Sequence, residues 1–107
     1  FGFQTLGLFY GGTIAKLSKL NKGKQEIKLK RNELFYNINN FEFYQYHNDY
    51  LKEVPYNFSV IAVSDKNIVN GIKHKYKPIY GVQFHPELSG NSGEQILENF
   101  MNICSIY

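Results

Sequence analysis

A chain of 107 residues, 43% hydrophobic and 20% charged, has the length and balance of one globular domain with a modest core. Its formal charge of +3 is small. The lysines of 16–30 and 73–77 lack the arginine-rich, aromatic-interleaved pattern of a nucleic-acid surface, so Lys22, Lys24, Lys28 and Lys30 read as a solvated basic face. A single cysteine, Cys104, excludes an internal disulfide framework and fits a reducing, cytoplasmic setting, and no apolar run approaches the ~20 residues of a membrane span.

Phe3, Leu6 and Tyr10 recur at helical spacing, and Gly11-Gly12 is a stop signal, which predicts a helix already under way at Phe1. Neither an initiator Met nor a basic leader precedes Phe1, so the chain is expected to begin inside a longer protein. Thr13 to Lys24 is polar and lysine-rich and reads as mostly loop; Glu26 to Lys30 alternates like a half-exposed strand. Phe41 to His47 alternates again, with Phe41, Phe43, Gln45 and His47 on one face. Asn57 to Val63 predicts a strand, Ser64 to Asn67 a turn, and Ile68 to Lys73 its hairpin partner. A strand at 79–84 follows Pro78. The last element is a helix opened by a capping-box spacing of Ser92 and Gln95, with Ile96, Leu97, Phe100, Met101 and Cys104 as its apolar stripe.

The segment Ile79-Tyr-Gly-Val-Gln-Phe-His-Pro-Glu87 carries the chemistry. Side chains two apart in an extended segment project alike, and Pro86 pushes His85 towards the extended region. A carboxylate accepting one imidazole N–H selects the tautomer whose other nitrogen takes a proton, which is the base–orienter half of a catalytic triad. Apolar on both faces, 79–84 is expected in the middle of an α/β sheet, where ligands bind beyond the carboxyl ends of strands. Taken alone, the tripeptide is also compatible with a solvent-exposed strand end.

The string Gly81-Val-Gln-Phe-His-Pro-Glu87 resembles the C-terminal signature of class I glutamine amidotransferases, and Phe1-Gly2-Phe3-Gln4 resembles the x-Gly-x-Gln that follows the cysteine of their nucleophile elbow. With the helices that follow each anchor, the resemblance spans essentially all of 1–107. It implies a three-layer, flavodoxin-like α/β fold, with 1–107 as the C-terminal portion of a single amidotransferase domain that begins just after the elbow cysteine. The implied reaction is glutamine hydrolysis by a Cys-His-Glu triad, with ammonia passed to a partner synthase. By the same resemblance His85 and Glu87 are catalytic, the backbone N–H of Phe1 is an oxyanion donor, Gln4 helps hold the glutamine, and Tyr46, Asn48 and Asp49 belong to a loop that grips its α-amino and carboxylate groups. Because this chain contains no elbow cysteine, 1–107 alone is expected to be inactive, and because the implied fold has further central strands upstream, it is expected to expose apolar edges and aggregate.

His47 reads as loop-positioning rather than a second base, and His74, between two lysines, as solvent-facing. Cys104, on the apolar stripe, reads as a buried thiol and not a nucleophile. His47, His85 and Glu87 lack the spacing of a metal site, and no metal is expected. Asn32-Glu-Leu-Phe35, Tyr46-His-Asn-Asp49 and Val54-Pro55 resemble segments of the glutaminase subunit or domain of GMP synthase within that family, although Tyr46 and Asn32 or Glu33 depart from its pattern. That resemblance implies an enzyme of purine biosynthesis with no cofactor in this domain, ATP and Mg being expected only in the partner synthase; neither nucleic acid nor membrane is an expected partner. Two other readings stand: a non-catalytic remnant serving as a binding or regulatory module, and a γ-glutamyl hydrolase-like enzyme of the same fold.

Overall fold

The computed structural model describes residues 2–64 and 67–106. Helix α1 (Gly2–Phe9) is followed by strands β1 (Thr13–Leu29), β2 (Glu42–Glu53), β3 (Phe58–Ser64), β4 (Val69–His74) and β5 (Tyr80–Val82), then by helix α2 (Gly90–Ile106). Short 3-10 turns occupy Glu33–Phe35 and Pro86–Leu88. The strands form one antiparallel sheet in the order β2-β1-β3-β4-β5.

The two helices cover opposite faces, making three layers. Alternation along β5 shows this: Tyr80 and Val82 pack with Ile27, Phe43, Ile61, Phe84, Ile96 and Ile103 beneath α2. A Cβ on Gly81, between them, would meet Leu6 at 2.8 Å and Phe3 at 3.2 Å, so α1 lies directly on the bare backbone of β5. Phe3 and Leu6 complete that second cluster with Leu51, Phe58 and Ile72. Phe43 and Phe84 stack at 4.3 Å across the larger core.

Residues 13–24 are strand rather than loop. The strand predicted from Glu26 ends β1 and holds Ile27, its one buried residue, but the longer part before it carries no apolar alternation for sequence reading to detect. Pairing with β2 creates it, Asn21 to Glu26 lying in unbroken register against His47 to Glu42. Lys22, Lys24 and Lys28 on its outward face, and Lys30 just beyond it, are exposed as predicted. Between Lys16, opposite Asp49, and Asn21, opposite His47, the four residues 17–20 face Asn48 alone, an extended bulge.

The strand predicted at 79–84 is shorter than expected and lies elsewhere. Its regular part is three half-buried residues at the edge of the sheet among the described residues, not in the middle. The sheet curls, however, so that the chain leaving β5 reaches the opposite edge. Phe84 is buried, and the His85 N–H donates to the Tyr44 carbonyl of β2 at 2.8 Å.

Helix α2 also differs from its predicted outline. It begins at Gly90, and no capping box forms: the Ser92 hydroxyl donates to the Asn40 carbonyl at 2.7 Å, while the Gln95 amide donates to Asn99 at 2.8 Å. Its inward line is Ser92, Ile96, Asn99 and Ile103, leaving Leu97, Phe100, Met101 and Cys104 exposed. Buried Asn99 explains the rotation, because its amide donates to the carbonyls of Leu34 at 2.9 Å and Tyr36 at 2.7 Å and ties the helix to the first 3-10 turn.

At Gly93 the helix meets the Pro86–Leu88 turn with no room for a side chain: a Cβ there would stand 1.8 Å from the Pro86 carbonyl oxygen. Gly93→Ala is therefore expected to push turn and helix apart and to destabilise the protein by about 1–3 kcal/mol. Urea unfolding of both proteins measures this, and equal midpoints would show that the turn yields freely.

Candidate functional site

The Pro86–Leu88 turn folds back because Pro86 fixes its own φ at the first position while the Leu88 N–H donates to the His85 carbonyl at 3.1 Å. Extended φ at His85 (−98°) projects its ring along the same side as Glu87. The result is a hydrogen bond of 2.7 Å between His85 Nδ1 and Glu87 Oε1. The imidazole is one-third exposed and the carboxylate more than half. With Nδ1 donating to the carboxylate, Nε2 is the nitrogen left to take up a proton.

Partial burial works against ionisation of Glu87, but its own backbone N–H and the His85 ring outweigh that effect and hold the carboxyl below the ordinary range. Glu87 therefore stays charged at neutral pH and suits an imidazolium beside it. Tyr44 lies next to this pair, its ring 6.3 Å from that of His85.

A second polar group lies at the start of α1 and the inward face of β2. The Gln4 amide, carried by α1, donates to the Asp49 carbonyl at 3.2 Å and to Gln83 Oε1 at 3.3 Å. The same carbonyl accepts from His47 Nδ1 at 2.8 Å. His47 Nε2 lies 2.9 Å from Gln45 Oε1 and 3.3 Å from the Asn21 amide nitrogen. Gln45, fully buried, donates to Asn70 at 2.7 Å, and Asn70 donates to the Ile68 carbonyl at 3.1 Å. Each of these buried groups has a partner, as burial requires. Gln83 belongs to both groups: its side chain meets Gln4, its N–H donates to the Asn70 carbonyl at 2.8 Å, and His85 follows two residues later.

The residues singled out in the sequence are thus only partly gathered. His85 and Glu87 are paired, and Gln4 reaches Asp49 through the latter's backbone. Tyr46 to Asp49 is not a loop but part of β2, paired with β1 at Tyr46, His47 and Asp49. Asn48 is exposed, and Tyr46 points outward, its ring 5.7 Å from the Lys22 ammonium. Phe1 lies outside the described residues. His74, expected in solvent, is buried: its Nδ1 accepts the N–H groups of Tyr76 at 3.0 Å and Lys77 at 3.1 Å, and its ring packs against Phe58. It shapes the β4–β5 turn, and the flanking lysines concealed that role. Cys104, expected to be buried, is exposed because α2 presents Asn99 and Ile103 inward instead.

Sequence reading passed over Ser89, Tyr44, Gln83 and Asn70. Ser89 is buried beside His85, and Asn70 is fully buried at the base of the polar group. Only Gln45 had announced itself, as a polar residue on an apolar face. Among the described residues no three His, Cys, Asp or Glu side chains come close enough to hold a metal ion, and no helix is long and apolar enough to cross a membrane.

Burial lowers the basicity of His47; its bond to the Asp49 carbonyl opposes this, and the nearby His85 adds to it. An unfolded chain protonates this histidine near its ordinary value of 6.5, and the folded protein only at lower pH. The unfolded state thus binds more protons in between, so the contribution of His47 to stability is complete above that value and declines as pH falls. The carboxylates with lowered values, Glu33 and Glu87, begin to lose their contribution only below about 4.5. Stability is expected to fall as the pH drops below about 6.5, ahead of the carboxylates, and His47→Gln to flatten that slope. Denaturant midpoints across this range check it; parallel slopes would place the titration elsewhere.

The glutamine amidotransferase class-I family profile matches residues 1–104. A glutamine-hydrolysing GMP synthase subunit of Methanocaldococcus jannaschii is 40% identical over 106 residues, covering 96% of this chain and 56% of the relative. The glutamine-hydrolysing GMP synthase of Borreliella burgdorferi is 38% identical over 109 residues, covering 97% of this chain but 21% of its own length. The chain thus spans about half the length of the Methanocaldococcus relative. A crystal structure described as that of a GMP synthase subunit, from Thermoplasma acidophilum, superposes with a TM-score of 0.87 at 31% identity, over 98% of this chain and 54% of that one. A glutamine amidotransferase of Thermotoga maritima shares the fold at a TM-score of 0.68 and 18% identity, over 95% of this chain and 44% of its own.

Proposed function

Because this chain belongs to the class-I glutamine amidotransferase family, we propose that it supplies the histidine and carboxylate of a Cys-His-Glu triad that hydrolyses glutamine and delivers ammonia to a partner synthase. The observation that carries the reading is the 2.7 Å bond from His85 Nδ1 to an ionised Glu87. It orients the ring, fixes its tautomer and readies Nε2 to act as a base.

The nucleophile in this proposal is a cysteine that precedes Phe1 in the parent protein. His85 Nε2 takes its thiol proton, and the thiolate attacks the side-chain amide carbon of glutamine. Charge on the resulting oxyanion is met by backbone N–H groups, that of Phe1 among them, each typically worth about 3 kcal/mol of barrier. The tetrahedral adduct collapses as His85 returns its proton to the leaving nitrogen, releasing ammonia and a glutamyl thioester. Water, deprotonated by His85, then attacks the thioester carbon; glutamate leaves and the thiol is restored. Glu87 keeps its charge throughout and stabilises the imidazolium in both halves.

The substrate's α-amino and carboxylate groups are assigned to the Tyr46–Asp49 segment. Since that segment is part of β2, Gln4 contributes by tethering the Asp49 carbonyl to α1 as well as by facing the substrate. The GMP synthase relatives support a GMP-forming synthase as the partner. In this reading ATP and Mg belong to that synthase and not to this domain. A protein that carries no cysteine before Phe1 would instead be a non-catalytic module.

Two measurements test the proposal. His85→Ala in the full-length protein is expected to lower glutamine hydrolysis by about 10²–10⁴-fold while ammonia-driven synthesis by the partner persists. If both activities fell together, His85 would be structural. An electrophilic glutamine analogue should label one cysteine immediately before Phe1, located by peptide mass spectrometry; labelling at Cys104, or none, would overturn the assigned nucleophile.

A further inference from the structure

His85 is held by more than its ring. Its N–H donates to the Tyr44 carbonyl at 2.8 Å, and its carbonyl accepts the Ser89 hydroxyl at 2.6 Å. The same hydroxyl oxygen accepts the Tyr44 N–H at 2.9 Å. One side chain therefore closes a ring of three hydrogen bonds that joins both backbone polar atoms of His85 to both backbone polar atoms of Tyr44. The Ser89 N–H adds a fourth tie, to the Pro86 carbonyl at 3.0 Å. Ser89 is only 6% exposed, so water cannot readily replace its hydroxyl.

The ring matters because of what it does not hold. Glu87 is mostly exposed and sits on a three-residue turn, so its own packing does not fix where its carboxylate points. The distance from His85 Nδ1 to Glu87 Oε1 is set by the path of the turn, and Ser89 anchors the far end of that path to β2. Without the hydroxyl the Tyr44 N–H loses its acceptor and the His85 carbonyl keeps only the longer bond from Leu88.

We infer that Ser89 is a positioning residue for the His85–Glu87 pair: its hydroxyl, bridging the His85 carbonyl and the Tyr44 N–H, sets the imidazole orientation on which glutamine hydrolysis depends. This inference rests on the glutaminase reading. Ser89 touches neither substrate nor nucleophile and acts only through the backbone of His85. A hydroxyl that both donates and accepts is required, so threonine can serve and alanine cannot.

The experiment compares Ser89→Ala, Ser89→Thr and His85→Ala in the full-length protein with its synthase. Ser89→Ala is expected to lower kcat for glutamine hydrolysis about ten- to a hundredfold with KM for glutamine nearly unchanged, and Ser89→Thr to restore it. Ammonia-driven synthesis should be unaffected. ¹⁵N NMR of His85 should show one neutral tautomer, protonated at Nδ1, in the parent and in Ser89→Thr, and a mixture in Ser89→Ala.

Wild-type kcat in a folded Ser89→Ala protein would overturn the inference, as would a lower kcat with the tautomer unchanged, which marks a structural role alone. If Ser89→Ala does not fold, Ser89→Cys, a weak donor of similar shape, takes its place. An intermediate kcat then supports the inference, and full activity overturns it. His85→Ala separates the two levels. Glutamine hydrolysis surviving that change removes the glutaminase reading itself, whereas its loss beside an unaffected Ser89→Ala removes only the role of Ser89.

Discussion

The bridge between Tyr44 and His85 is the contact on which the remaining architecture depends. The five strands would otherwise be an open sheet with β2 and β5 at distant edges. A single backbone pairing just past β5 brings those edges together and places a histidine at the seam. The His85–Glu87 pair and Ser89 lie along that seam. The stacked rings of Phe43 and Phe84 sit one residue before each partner of the bridge and bury the seam's apolar side. The turn at Pro86 and the first turn of α2 close its other end, with Gly93 allowing backbone to rest on backbone.

Beneath the seam runs the polar chain of His47, Gln45 and Asn70, with Gln83 and Gln4 above it. Such a chain is costly to bury, and here each member has a polar neighbour within hydrogen-bond distance, His47 Nε2 accepting from the Asn21 amide while Nδ1 donates to the Asp49 carbonyl. It couples four elements: α1 through Gln4, β2 through Gln45 and His47, β4 through Asn70, and the approach to the turn through Gln83. Apolar packing gives the two cores their bulk, whereas these directional bonds fix how β2, β4 and α1 stand relative to His85.

Much of this was legible in the sequence, for reasons that vary by element. The β3–β4 hairpin and the inward line of β2 at Phe43, Gln45 and His47 carry apolar alternation or turn residues and form as read, whereas Phe41, predicted on the same line, precedes β2 and is exposed. His85, Pro86 and Glu87 were legible because the geometry that pairs them is local. β1 was legible only from Glu26 onward, around Ile27; its longer first part was not, because there the strand character comes from β2 and from no pattern of its own. The inward face of α2 was misread because burial of Asn99 requires acceptors at Leu34 and Tyr36, more than sixty residues away. The same limit hid Ser89 and His74. Each is a polar residue whose partners are backbone groups, and one-dimensional patterns of polarity cannot tell such a residue from one that faces water.

The Asp49 carbonyl oxygen has two lone pairs, and both are engaged, one by Gln4 on α1 and one by His47 on β2. A third donor arriving at that oxygen must displace one of them. Ligand occupancy there and the hold of α1 on β2 are therefore thermodynamically linked: whatever takes the place of Gln4 loosens the helix, and whatever tightens the helix competes for the oxygen.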